Sequence, residues 1–157
     1  MEIRPLHARD AAALAAFFEA LAADESALHF FHPHPFDAAA ADSICSGAGQ
    51  RKDEYFAAFD EGRIVGYGML RGWDEGYVVP SFGGCVGSRS RGRGLGRALL
   101  RHAIERAAAR GAPQVMLKVY PENAVARALY ESEGFTFAER ASDGVQLVGR
   151  LDLAPSR

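Results

Sequence analysis

The chain of 157 residues is 48% hydrophobic and 24% charged, enough for one domain with a sizeable core and too apolar for disorder. A formal charge of −2 argues against a nucleic-acid-binding domain, two cysteines are too few for a disulfide scaffold, and no apolar run approaches a membrane span. That charge is uneven: from Arg89 to Arg110 seven arginines meet only Glu105, a local +6 that leaves −8 for the remainder.

Met1–Leu6 alternates apolar and polar residues, as a short strand does. A helix is predicted from about Arg9 to Ala23, with Leu14, Phe17, Phe18 and Leu21 on one face. Leu28–Phe36 is aromatic and broken by prolines, and Asp37 then caps a short helix running to Cys45. Tyr55–Phe59 and Arg63–Leu70 read as a hairpin turned at Asp60-Glu61-Gly62. A loop at Trp73–Gly76 leads into a strand at Val78–Val86, which Pro80 and Gly83-Gly84 make irregular. Gly94–Arg110 is strongly helical, striped by Leu95, Leu99, Ala103 and Ala107 and ended by Gly111 and Pro113. Gln114–Val119 is a buried type of strand, and Asn123 caps a short helix closed by Gly134. Phe135–Arg140 and Val145–Leu153 form a terminal strand pair turned at Ser142-Asp143-Gly144. This β-α-α-β-β-β-α-β-α-β-β order gives a mixed sheet whose central β-α-β unit needs a parallel, right-handed crossover.

The segment Ser88–Arg97 joins a strand to the long helix and carries the chemistry. Alternate glycines let the backbone turn tightly with its N–H groups converging, and the helix N-terminus adds partial positive charge. A pyrophosphate-binding loop is the physical reading; a solvated basic turn is the bland one. No lysine is present for a P-loop, and Arg97 stands where a dinucleotide fingerprint beginning at Gly92 needs glycine. An acid about 20 residues further on is also absent near Lys118.

Arg91-Gly92-Arg93-Gly94-Leu95-Gly96 fits R-x-x-G-x-G and resembles the acyl-CoA loop of the GNAT superfamily of N-acetyltransferases. Asn123-Ala-Val-Ala-Arg-Ala-Leu-Tyr130-Glu-Ser-Glu-Gly134-Phe135 is similar to that family's N-x-x-A-x-x-L-Y-E-x-x-G-F signature. The resemblance covers roughly Arg63 to Arg140. It implies a single α/β (α+β) domain over residues 1–157. The expected architecture is a central mixed sheet of six to seven strands, splayed between the fourth and fifth, with helices on both faces.

The resemblance also implies acetyl-CoA as acetyl donor and no metal. Gly84, Cys85 and Val86 would pair with the pantetheine amides, and an N–H of their strand would meet the thioester oxygen, where negative charge develops. Arg91, Gly92, Arg93, Gly94, Leu95, Gly96 and Arg97 would hold the pyrophosphate, and Asn123 would touch the cofactor while also capping its helix. Tyr130 matches the tyrosine that protonates the leaving thiolate; packing on an amphipathic helix is its other reading.

Some relatives carry a glutamate where Lys118 stands, so the general base is open among Asp74, Glu75, His32 and His34, or water alone. His32, His34 and Phe36, with Trp73 and Glu75, are the expected acceptor contacts, Tyr77 beside them. A nucleophilic Cys85 lacks an activating neighbour, and the spacing of His29, His32 and His34 matches no standard metal site. The reading is an N-acetyltransferase acting directly on a primary amine of a small molecule or peptide, an acceptor that suits the acidic remainder. A non-catalytic acyl-CoA-binding regulatory domain is the alternative, and a nucleic-acid module using the arginine cluster comes third. No nucleic acid or membrane partner is expected, a homodimer fits proteins of this look, and cytoplasmic placement fits the cysteine usage and the lack of a signal-like start.

Overall fold

The structure, a computed structural model, describes residues 1–154, so the last three positions of the expected domain lie outside the described residues. Strands β1 (Glu2–Pro5), β2 (Glu54–Asp60), β3 (Arg63–Arg71), β4 (Ser81–Val86), β5 (Gln114–Val119), β6 (Thr136–Arg140) and β7 (Leu147–Asp152) form one sheet. Their order is β1-β2-β3-β4-β5-β7-β6. Every pair is antiparallel except β4 with β5, which a helical crossover joins in parallel. The seven-stranded mixed sheet agrees with the sequence expectation.

Helices α1 (Ala11–Ala22), α2 (Glu25–Phe30) and α3 (Ala38–Ser46) precede β2, one more than predicted. Asp24 creates the extra helix by accepting from the Ala27 N–H at 3.2 Å, and Phe31 ends it in an extended conformation shortly before Pro33. Asp37 caps α3 as expected, accepting from Ala40 at 2.8 Å. Strand β4 begins three residues later than predicted: Pro80 has no N–H to give to a ladder, although its carbonyl accepts from Met116 at 3.0 Å.

Two apolar cores lie on opposite sheet faces, as the alternation of β3 requires. Tyr67 and Met69 face Leu14, Phe17, Phe18 and Leu21 of α1 and Ile44 and Cys45 of α3. Leu70 faces the other way, with Phe56, Phe82, Val115 and Leu117, under α4 (Leu95–Ala109). The predicted stripe of α4 is what enters that second core: Leu95, Leu99, Leu100, Ala103 and Ala107 are all buried. Each fully buried leucine contributes about 1.5–3 kcal/mol, and the alanines let the last turns approach the sheet closely. Helix α5 (Ala124–Ser132) connects β5 to β6. Among the described residues no helix is long and apolar enough to cross a membrane.

The buried carboxylate of Asp10 ties β1 to α1. Arg4 binds both its oxygens, at 2.8 and 2.9 Å, and the His7 N–H donates to it at 2.8 Å. These bonds, that of Arg4 foremost, lower its pKa to about 2. A carboxylate with a depressed folded pKa stabilises the fold above the unfolded value near 4 and loses that contribution as pH falls toward 2. Asp10→Ala is therefore expected to lower stability by about 2 kcal/mol at pH 7. Denaturant melts of variant and parent should converge between pH 4 and pH 2.

Candidate active site

Parallel strands β4 and β5 pair only at Ser81–Met116 and Phe82–Leu117, then part. Hydrogen bonding fixes which groups face the opening. The Pro80 carbonyl reaches β5, whereas the Gly87 N–H donates to Val65 of β3 at 2.9 Å, so even-numbered residues of β4 point toward β5 and odd-numbered ones toward β3. Gly84 and Val86 accordingly direct their backbone groups into the gap, while those of Cys85 are engaged by Tyr67. The expectation that Cys85 offers backbone pairing there is corrected on this ground. Burial pushes its thiol up to about 12, so it stands as a neutral thiol beside the gap.

Side chains at Gly83 or Gly84 would crowd the two sheet faces beside the gap. A Cβ at Gly83 would lie 2.7 Å from Met69 Cε, and one at Gly84 would lie 2.9 Å from Phe82 Cζ and 3.1 Å from the Tyr67 carbonyl. On the β4 side the opening presents the backbone groups of Gly84 and Val86, which suits an extended chain carrying amides.

Beyond β4 the chain makes a 3-10 turn at Ser88–Ser90 and enters α4 through Gly94, which adopts a left-handed conformation with φ of 78°. No side chain caps this end, and the first intrahelical bond belongs to Ala98. The N–H groups of Leu95, Gly96 and Arg97 thus point out of the helix together, the arrangement that receives an anion.

The arginine cluster is less free than its count implies. Arg91 pairs with Asp24 at 2.8 Å, Arg97 and Arg101 with Glu133 at 2.7 and 2.8 Å, and Arg106 and Arg110 with Glu54 at 2.8 and 3.0 Å. Among the described residues only Arg89 and Arg93 of the seven have no carboxylate partner. Both line a cavity of about 780 Å³ with Ser88, Ser90 and Arg63, bounded by α1 and the β2–β3 turn. The excess positive charge is therefore concentrated at the loop itself. The pairing of Arg91 and Arg97 with Asp24 and Glu133, residues the sequence reading did not single out, braces the loop against α2 and α5.

Helix α5 closes the far side of the gap: Leu129 lies 3.6 Å from the Cβ direction of Gly96. Asn123 caps it, its Oδ1 accepting from the Ala126 N–H at 3.3 Å, while its side-chain Nδ2 makes no hydrogen bond among the described residues. Tyr130 packs its ring 6.0 Å from that of Phe135. Its hydroxyl has no partner among the described residues, yet is not sealed off from solvent. Burial first, and then nearby Cys85, raise its pKa to about 12, so at neutral pH the phenol holds its proton.

The predicted acceptor residues separate into two groups. His34 and Phe36 pack on Phe18 and Tyr67, on the α1 face of the sheet. His34 is fully engaged: Nδ1 donates to the Pro35 carbonyl at 2.7 Å, and Nε2 accepts from the buried Tyr67 hydroxyl at 2.9 Å. Burial lowers its pKa. His32 lies exposed, bonded to Leu28 and Tyr120. Trp73 lies on the opposite face of the sheet, packed in the α4 core with the Arg110 guanidinium 3.5 Å above its ring. Glu75 is exposed in the same turn, and Asp74 accepts from the N–H groups of Lys52 and Asp53. The sheet stands between this loop and the histidines, so Trp73 and Glu75 are not brought into one site with His32, His34 and Phe36. Lys118 is exposed on β5 opposite Val148. Among the described residues no three His, Cys, Asp or Glu side chains gather as a metal would require.

The sequence reading missed Tyr120, which meets His29, Phe30 and His32 at the end of β5. Its one local signal, an aromatic residue between a buried strand and Pro121, gives no hint of a partner 88 positions away.

Comparison with known proteins agrees with this geometry. The family model "Acetyltransferase (GNAT) family" matches residues 14–135. A mycothiol acetyltransferase of Beutenbergia cavernae is 57% identical over 47 residues, 30% of this chain and 16% of that protein. A ribosomal protein bS18-alanine N-acetyltransferase of Escherichia coli is 52% identical over 46 residues, 29% of this chain and 31% of that protein. The matched stretch thus spans less than a third of either relative. A structure from Salmonella typhimurium, described with its cofactor acetyl-CoA, superposes with a TM-score of 0.78 at 22% identity, covering 100% of this chain and 96% of that one. With the family match extending over most of its length, this chain belongs to the GNAT family of acetyltransferases.

Proposed function

We propose that the chain transfers an acetyl group from acetyl-CoA directly to a primary amine of a small molecule or peptide. The observation that supports this most is the parting of β4 from β5 beside the free backbone groups of Gly84 and Val86, with an uncapped helix N-terminus at one end and Tyr130 alongside. Acetyl-CoA supplies the acetyl group as an activated thioester. Gly84 and Val86 are the groups suited to pair with its pantetheine amides. The amides of Leu95, Gly96 and Arg97, with Arg93 beside them, suit its pyrophosphate. Fixed N–H groups in the gap stabilise charge developing on the thioester oxygen without reorganising. Tyr130 holds its proton at neutral pH and is the acid for the departing thiolate.

Two relatives are named for a ribosomal-protein alanine and for mycothiol. They point to an amine acceptor, and the −8 carried outside the arginine segment suits a cationic one. A thiol-release screen over amino sugars, polyamines, amino acids and peptide N-termini tests the reading, with thermal melting followed in parallel. At least one amine class should release CoA above the hydrolytic background. A rise in melting temperature with CoA but no amine-dependent release would identify an acyl-CoA-binding regulator instead.

A further inference from the structure

We infer that Tyr120 and His32 form the proton path that deprotonates the acceptor amine, an inference that rests on the acetyl-transfer reading above. The His32 Nδ1 lies 2.9 Å from the Leu28 carbonyl, which can only accept, so this nitrogen carries the ring proton. In the neutral ring Nε2 is then the acceptor. The Tyr120 hydroxyl, 3.1 Å from Nε2, donates to it. The lone pairs of the Tyr120 oxygen remain for the proton of an incoming ammonium.

Position supports the same role. Tyr120 directly follows β5, and His32 follows Phe31, whose ring lies 3.3 Å from the Cβ direction of Gly83, where β4 leaves β5. The segment 31–32 therefore reaches both parting strands on the α1 face. His34 carries the same tautomer, but its Nε2 is committed to the hydroxyl of Tyr67, which is fully buried and so closed to an amine. Lys118, in the place of a relative's glutamate, is exposed on β5 and offers no carboxylate to take the proton. The titratable and charged groups around the pair are His29, stacked 6.2 Å from the Tyr120 ring, and Glu122, 4.0 Å from His29.

In the step, an ammonium N–H bond breaks and its proton passes to the Tyr120 oxygen, while the Tyr120 proton passes to His32 Nε2. The freed nitrogen lone pair forms the new bond to the thioester carbonyl carbon as the carbonyl pair moves onto oxygen. That pair returns as the C–S bond breaks, and the sulfur takes the Tyr130 proton. The nitrogen sheds its remaining extra proton to water, and water reprotonates Tyr130. His32 keeps its Nδ1–H on Leu28 and, being exposed, returns the acquired proton to water.

The test compares ethylamine, an ammonium at neutral pH, with 2,2,2-trifluoroethylamine, which is largely neutral there and needs no base. His32→Gln and Tyr120→Phe should each lower kcat/KM for ethylamine by roughly 100-fold or more at pH 7. The loss for trifluoroethylamine should stay within about threefold, and acetyl-CoA affinity should not change. Equal losses for the two amines, or none, would overturn the relay. Nitrogen-15 spectra of the His32 ring give a readout that needs no turnover. An Nδ1–H tautomer perturbed by Tyr120→Phe supports the path, and an Nε2–H tautomer overturns it even if the protein transfers no acetyl group. Failure of every amine to release CoA would instead bring down the acetyl-transfer reading beneath it.

Discussion

Tyr130→Phe should lower turnover by roughly 100-fold or more and leave acetyl-CoA affinity within a small factor of the parent. The expectation follows from chemistry at one atom. The substitution removes a hydroxyl that makes no hydrogen bond among the described residues, so the ring, its contact with Phe135 and the backbone of α5 stay as they are. What is lost is the proton for the thiolate. Because burial holds the phenol near 12, the protonated form persists through the neutral and mildly alkaline range. Tyr130 therefore adds no fall in kcat until the pH approaches that value. Calorimetric affinity and thiol-release kinetics separate the two effects. Equal loss of affinity and turnover would make Tyr130 a packing residue.

Gly94→Val should weaken acetyl-CoA binding at least tenfold, by about 1.4 kcal/mol or more. At φ of 78° a residue with a side chain costs about 1–2 kcal/mol, and a β-branched one has the fewest ways to accept it. Nothing lies within 4 Å of the Cβ direction of Gly94, so the effect is conformational and not a clash. Relaxing that strain rotates the first turn of α4 and scatters the N–H groups of Leu95, Gly96 and Arg97. Gly94→Asn, which tolerates the left-handed region better, should retain more affinity and serves as the control. Unchanged binding in Gly94→Val would contradict the pyrophosphate position.

Features written in local sequence were legible without coordinates. The apolar stripe of α4, the Asp60–Gly62 turn, the Asp37 and Asn123 caps and the alternate glycines of the loop depend on neighbours within a turn or two, and each is where the sequence put it. The splay between β4 and β5 was legible only through family resemblance, since pairing that stops at Phe82 leaves no periodic trace. Long-range partners were not legible. The +6 segment marks the proposed anion site, yet its excess charge narrows to Arg89 and Arg93 once Asp24, Glu54 and Glu133 arrive from other elements. The sequence offers Trp73 as an acceptor contact together with the histidines, but the fold places it on the α4 face, away from them. The resemblance groups Cys85 with its neighbours Gly84 and Val86, and strand alternation turns its backbone toward β3.

Rapid-quench measurement of acetylated amine and free CoA within one turnover tests the central claim most directly. Direct transfer in the gap between β4 and β5 predicts that the two products appear together in equal amounts, with no acetyl group held on the protein. Acetyl-protein forming before the acetylated amine, or thiol release without any acetylated amine, would contradict it.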